Sequence, residues 1–370
     1  MSPARQQRVL VLRALGLGDF LTGIPALRAL RRSHPDHEVT LAAPAALAPL
    51  VARSRTADRL VDVGELEPVP WRDPPPELAV DLHGRGAASH RLLSALDPAR
   101  LIAFADPAGG YPEGPRWRAA EHEVHRWCRL LAEAGVPADP DDLDLDPDPG
   151  RAHGVLDPGG ASDVLDPGRA HGALDPGRAS DVLDPGGAHG MPARAHGPVL
   201  VHPGAAAPSR RWGPDRFARV AAALAAEGHR VLITAGPTER ELGARVARSA
   251  GLPAGSVAAG LDLAALADLV AAARLVVCGD TGLAHLATAV RTPSVVLFGP
   301  VPPAEWGPPD RPEHVAVWHG AAGYRGDPHG QVIDPALRSV TSDEVLGAAR
   351  RLLAPPASAP ERASAHSRVS

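Results

Sequence analysis

Leu275-Val276-Val277-Cys278 runs into Gly279-Asp280-Thr281-Gly282-Leu283-Ala284-His285, continues through Leu286-Ala287-Thr288-Ala289-Val290, and returns as Ser294-Val295-Val296-Leu297-Phe298 before Gly299-Pro300. An apolar run of four or five residues bounded by turn signals is the pattern of a strand buried on both faces. The glycine turn opens a helix, and the second apolar run returns to the same sheet. The unit therefore reads strand, turn, helix, strand, which is the repeating element of a parallel α/β sheet. Ligands of such sheets bind beyond the carboxyl ends of the strands. The turn delivers to that edge a carboxylate, a hydroxyl and the first N–H groups of a helix, which lack partners inside the helix and attract anions. A phosphate or diphosphate is the expected ligand. A plainer alternative, in which Asp280 or Thr281 only caps the helix, stays open on the sequence alone.

The same alternation runs through the rest of the chain. Strands are expected at 9–13, 39–42, 60–63, 78–82 and 101–104, with helices from Phe20, over 44–53, 87–96 and 119–134. A second series begins at Val199-Leu200-Val201-His202, with strands at 231–235, 275–278 and 294–298 and helices over 215–227, 239–250, 263–273 and 342–353. Thr341 or Ser342 is the expected cap of the last helix, with Glu344 in its first turn. Between the two series, Leu-Asp-Pro-Gly recurs at Leu156, Leu165, Leu174 and Leu183, a period of nine. One large apolar residue and one proline per unit leave little to bury and interrupt any regular ladder. The Gly-Gly-x-Gly-x-Asp pattern of calcium β-rolls is missing. The expected organisation is an N-terminal domain over 1–138, a disordered nonapeptide-repeat linker over 139–197, a ligand-binding domain over 198–340, a helix over 341–354 and a frayed tail over 355–370.

Composition narrows the class. A chain of 370 residues with 44% hydrophobic residues suits two domains. A net charge of -5 argues against a nucleic-acid footprint. Every basic residue is arginine, and neither lysine nor asparagine occurs; with abundant Ala, Gly and Pro this looks like a GC-rich genome. Cys128 and Cys278 lie far apart in apolar segments and read as buried thiols of a reduced, cytoplasmic protein. No signal peptide and no membrane-spanning run is expected, which leaves room for peripheral contact with a membrane face.

Three further clusters fall where strands end. Gly16-Leu17-Gly18-Asp19 follows the first strand. Its glycines admit another molecule to the backbone, and Asp19 is either a helix cap or a general base for a hydroxyl proton. A dinucleotide fingerprint is not completed, because Gly23 is wrongly spaced after Gly16 and Gly18. Pro203-Gly204-Ala205 precedes Ser209-Arg210-Arg211-Trp212, and two guanidiniums beside a glycine turn suit a diphosphate leaving group or, more plainly, form a solvated pair. Gly236-Pro237-Thr238-Glu239 follows the strand ending at Ala235, and Glu239 either binds ribose hydroxyls or serves as a helix-dipole charge.

These motifs, in this order, resemble the family 9 glycosyltransferases, the heptosyltransferase family that uses ADP-heptose. The resemblance rests on Leu10-Val11-Leu12-Arg13 with Gly18-Asp19, Pro25-Ala26-Leu27-Arg28-Ala29-Leu30, His202-Pro203-Gly204-Ala205 with Arg210-Arg211-Trp212, the Gly279–Ala287 stretch, and Leu297-Phe298-Gly299-Pro300 with Trp306. It implies a GT-B fold: two Rossmann-like, doubly wound domains facing a cleft, with the donor held mainly by the second. It also implies an inverting transfer without a covalent intermediate, in which Asp19 is the catalytic base and Arg210, at the family's lysine position, steadies the donor phosphates. Gly18, Gly204, Arg211, Glu239, Asp280, Thr281, Gly282 and His285 would complete the donor site. The alignment leaves open whether Glu239 or Glu241 contacts the ribose.

The expected function is transfer of a heptose-like sugar from a nucleotide-diphosphate donor to a hydroxyl of a glycan or glycolipid, with lipopolysaccharide core assembly as the family label. The nucleotide sugar is a substrate; no separate cofactor, no metal and no nucleic-acid partner is expected. The site of action would be the cytoplasm or the inner face of the plasma membrane. Competing readings are an epimerase or hydrolase of the same fold and a non-catalytic nucleotide-sugar-binding protein. A dehydrogenase ranks below both.

Overall fold

The computed structural model describes residues 7–145 and 196–354. The repeat from Leu156 onward and the tail lie outside the described residues. The first series of elements is β1 (Arg8–Leu12), α1 (Leu17–Ser33), β2 (Glu38–Ala43), α2 (Ala48–Ser54), β3 (Arg59–Asp62), β4 (Leu78–Asp81), α3 (Ala87–Ser94), β5 (Arg100–Ile102) and α4 (Glu123–Glu133). All strands pair in parallel in the order β3-β2-β1-β4-β5. The chain winds outward from β1 to β3, then crosses back to lay β4 on the other flank of β1. The switch point therefore lies between β1 and β4. Val9, Leu10, Val11 and Leu12 have no exposed surface, as a central strand covered on both faces requires.

The second series is β6 (Val199–His202), α5 (Pro214–Ala226), β7 (Val231–Ala235), α6 (Arg240–Ser249), β8 (Val257–Ala259), α7 (Leu263–Ala272), β9 (Leu275–Gly279), α8 (Gly282–Ala289), β10 (Ser294–Leu297), α9 (Pro303–Trp306), β11 (His314–Val317), α10 (Pro335–Ser339) and α11 (Ser342–Leu353). Its parallel sheet runs β11-β10-β9-β6-β7-β8, with the switch point between β6 and β9. Thr341 caps α11 in a reciprocal box, its hydroxyl accepting the Glu344 N–H while the Glu344 carboxylate accepts the Thr341 N–H. Four elements escape the sequence pattern. β8 and β11 are edge strands of three and four residues, and α9 and α10 are single turns opened by proline. Such pieces are too short to show a period. Both cysteines are buried and unpaired, and burial pushes each thiol up to about 12.

The two halves share a core. One apolar cluster continues from Val9 and Val11 of β1 and Val80 of β4, through Leu21 and Ile24 of α1, to Leu283 and Leu286 of α8 and Val276 of β9. Two smaller clusters cover the outer faces of the sheets. On another flank Arg53 of α2 pairs with Asp268 of α7 at 2.8 Å. Residues 139–145, read from the sequence as the start of the linker, form an ordered strap across both halves. The Asp142 carboxylate accepts from Arg28 and Arg32, each at 2.6 Å. Asp144 pairs with Arg291 and, at 3.7 Å, with Arg311. The Leu145 N–H donates to the Ala289 carbonyl at the end of α8.

Candidate active site

The chemical clusters of the sequence lie beyond the carboxyl ends of β1, β6, β7 and β9, and the turns after β1 and β9 meet at the seam between the halves. On the N-terminal side the chain leaves β1 at Arg13, turns through Gly16 and enters α1 at Leu17. Gly16 occupies the cap position and has no side chain to offer, so Asp19 stands inside the first turn rather than capping it. The Asp19 carboxyl is half-buried. Burial pushes its pKa up, the Arg13 guanidinium opposes that rise, Glu123 adds to it, and His83 opposes it. A carboxylate destabilised in this way is a stronger base than one in water.

Arg13 is fully buried. It donates through Nε to the Asp19 carbonyl, through Nη1 to the Leu82 carbonyl, and through Nη2 to Thr22 Oγ1 at 3.0 Å. Its guanidinium lies 4.8 Å from the Trp127 ring and 3.6 Å from Glu123. His83 stands two residues past β4, its N–H held by Asp81 Oδ1 at 2.9 Å and its Nδ1 buried with no hydrogen-bond partner among the described residues. Sequence reasoning missed Arg13, His83 and Glu123 as site residues. The available signal was topological: Arg13 and His83 follow, by one and two residues, the ends of the two strands that flank the switch point.

On the C-terminal side the turns after β6, β7 and β9 converge. Asp280 follows β9, and its buried carboxyl is pushed up to about 6 by burial, against the opposing pull of Arg210. Arg210 Nη1 lies 3.7 Å from Asp280 Oδ2, and the Arg210 Nε is buried with no partner among the described residues. Trp212 anchors this segment from within the core, donating to the Val340 carbonyl at 3.0 Å. Arg211 points out to solvent, donates to the Ala205 carbonyl at 2.9 Å and lies 3.8 Å from Glu239. The Glu239 carboxylate folds back against Gly204, where any Cβ would run into it. Gly204, Arg211 and Glu239, three separate candidates in the sequence, are thus one contact group. Thr281 occupies the cap position of α8 but makes no side-chain capping bond, and its buried hydroxyl lies beside the Cys278 thiol. Neither Asp280 nor Thr281 serves as an ordinary side-chain cap here.

Gly18, Gly282 and His285 meet across the seam. A Cβ on Gly18 would lie 3.0 Å from His285 Cδ2, and one on Gly282 would lie 3.1 Å from the Gly18 nitrogen. These two glycines let the N-terminal turns of α1 and α8 touch. His285 packs edge-on to Trp306 at 5.8 Å and lines a cavity of about 250 Å³ with Thr22, His122 and Thr288. Burial, with His122 and Arg13 nearby, pushes the His285 imidazole down to about 4, so it is neutral at pH 7. The arrangement thus holds a basic carboxylate on one half and cationic and N–H groups on the other, joined at the Gly18–Gly282 contact.

The profile of glycosyltransferase family 9 (heptosyltransferase) matches residues 116–323, more than half of the chain. Lipopolysaccharide heptosyltransferase 1 of Pseudomonas aeruginosa is 37% identical over 100 residues, which cover 27% of this chain and 28% of that protein. The chain thus aligns with less than a third of that relative's length. Among solved structures, a glycosyl transferase family 9 protein from Veillonella parvula superposes with a TM-score of 0.68 at 17% identity, covering 95% of this chain and 99% of the other. The ADP-heptose lps heptosyltransferase II of Escherichia coli gives 0.67 at 19% identity, covering 94% and 98%. At these identities the superpositions speak for the fold, which is GT-B.

Proposed function

The chain belongs to glycosyltransferase family 9, the heptosyltransferase family, and from that premise we propose that it transfers a heptose-like sugar from ADP-heptose to a hydroxyl of a glycan or glycolipid. The observation that carries the reading is the contact across the seam between Gly18, the neighbour of Asp19 in the chain, and Gly282, which closes the Asp280–Thr281 turn beside Arg210. Asp19 takes the acceptor hydroxyl proton. The freed oxygen attacks the anomeric carbon from the face opposite the diphosphate, and the carbon–oxygen bond to the nucleotide breaks as the new one forms. One displacement of this kind inverts the anomeric centre.

Charge accumulates on the departing diphosphate, and the groups beside it are suited to receive it. Arg210 has a free Nε, Arg211 reaches from the solvent side, and the N–H groups at the start of α8 face the same edge. Glu239, held against Gly204 and paired with Arg211, would accept from ribose hydroxyls in this reading. The acceptor lies toward the N-terminal half, and work at the inner face of the plasma membrane fits a glycolipid acceptor. No helix among the described residues is long and apolar enough to cross a membrane.

The test is turnover with ADP-heptose and deacylated core lipopolysaccharide, with NMR assignment of the product anomer. ADP release coupled to an inverted glycoside supports the reading. Retention of configuration, or conversion of the donor without an acceptor, would replace it with a double displacement or with the epimerase or hydrolase reading.

A further inference from the structure

A guanidinium taken out of water costs several kcal/mol unless the interior compensates it, and a well-packed apolar side chain would fill the same volume at less cost. Arg13 has no exposed surface, so it serves neither solubility nor a surface contact. Two of its three hydrogen bonds converge on one residue. Arg13 Nε donates to the Asp19 carbonyl; Arg13 Nη2 holds Thr22 Oγ1, and that hydroxyl donates to the same Asp19 carbonyl at 3.0 Å. Nη1 reaches across the switch point to the Leu82 carbonyl, just before His83. The Trp127 ring lies under the cation and Glu123 lies beside it. Gly23 completes the fit, since a Cβ there would come within 2.7 Å of Arg13 Nε.

We propose that Arg13 is a positioning residue for Asp19: it ties the first turn of α1 to the turn after β4 and supplies the buried positive charge against which the Asp19 carboxylate works. The inference rests on the reading of Asp19 as the base, and it adds a division of labour to it. Three charged or titratable side chains face Asp19 from different elements: Arg13 from the end of β1, Glu123 from the head of α4, and His83 from the turn after β4. Burial and Glu123 favour the protonated acid; Arg13 is the leading counterweight and His83 a smaller one. Without the Arg13 charge, Asp19 would hold its proton to higher pH and could not accept another.

The test reads Asp19 directly, without substrate. Side-chain carboxyl-labelled protein is titrated by NMR, with the Asp19 signal assigned by its loss in Asp19→Asn. Arg13→Met should raise the Asp19 midpoint by about one unit or more, the usual effect of removing a nearby opposite charge. Glu123→Gln should lower it, and Gln can still accept the Trp127 Nε1–H that now reaches Glu123 at 2.7 Å. Arg13→Lys should keep the midpoint near wild type while lowering kcat, because lysine retains the charge but not the planar fork. In turnover, the acid limb of the pH profile should move with the midpoint. An unmoved midpoint in Arg13→Met, or a shift of both variants in the same direction, overturns the proposal. If Arg13→Met does not fold, Arg13→Lys decides: a lowered kcat at an unmoved Asp19 midpoint supports the proposal, and an unchanged kcat overturns it. Full activity of Asp19→Asn would instead overturn the reading of the reaction and leave the measured midpoints standing.

Discussion

Gly18 and Gly282 meet back to back, one from each half of the molecule, so that the first turns of α1 and α8 touch where any side chain would intervene. A Cβ on Gly282 would stand 3.0 Å from Leu17 Cβ and 3.1 Å from the Gly18 nitrogen. The second of these neighbours is backbone and cannot swing aside. Gly282→Ala should therefore part the two helices slightly. The expected cost is about 1–3 kcal/mol, typical of overpacking, visible as a lower Tm. Turnover should fall more than donor affinity, because the two reacting halves separate while the donor's own contacts persist. Equal losses in both would place the effect inside the donor site.

Asp19→Asn isolates proton transfer. Asn has almost the same shape, and Gly16 rather than Asp19 holds the cap position, so the helix start should be unaffected. Turnover should drop by roughly 10²–10⁴-fold, the usual range for a lost general base, with calorimetric donor affinity unchanged. A variant retaining a third or more of wild-type turnover would remove Asp19 from the mechanism.

Gly204→Ala acts at a distance of one side chain. The new methyl collides with the Glu239 carboxylate and must push it off, which also frees Arg211. Donor affinity should fall, and Glu239→Gln should produce a loss of similar kind. Because both changes strike the same contact group, the double variant should lose less than the sum of the two. Additive losses would separate Gly204 from Glu239.

The neutral imidazole of His285 predicts acid lability. Its folded pKa, about 4, lies below the ordinary histidine value of 6.5. The unfolded chain therefore gains a proton first as pH falls. Stability from this residue is complete above 6.5, declines below it, and is lost once pH passes about 4. The full effect is on the order of 3 kcal/mol. Asp280, shifted upward to about 6, acts in the opposite sense: its contribution is present in acid and lost as pH rises from 3.8 through about 6. Denaturant melts at several pH values should show His285→Gln losing less stability than wild type between 6.5 and 4. Parallel curves would mean that the imidazole titrates in the fold as it does in the unfolded chain.

Much of the fold was legible because it is written locally. Val9–Leu12 and Leu275–Cys278 are apolar runs ended by glycine turns, and that pattern alone yields strand, turn and helix. The candidate carboxylates and arginines were legible because they sit in those turns. What was hidden depends on partners far away in sequence. Arg13 reads as the polar end of a strand until Trp127 and Glu123 close over it. Arg211 and Glu239 read as two independent ligand contacts, and only folding makes them a pair. The Asp-rich stretch from Asp139 reads as linker because its arginine partners, Arg28, Arg32, Arg291 and Arg311, belong to both domains.

That stretch changes what the repeat can do. A linker between two domains usually sets how far apart they stand, so its length matters. Here the strap has already crossed the seam when the Leu145 N–H reaches the Ala289 carbonyl. From there the chain leaves the C-terminal half, and at Val199 it re-enters the same half through β6. The two described ends of the repeat, Leu145 and Val199, are therefore both anchored on the C-terminal half. Gain or loss of nine-residue units there should leave the cleft unaltered, because the entropic cost of a closed loop grows only slowly with its length. A genome prone to tandem duplication could expand this segment freely, leaving the machinery on either side untouched.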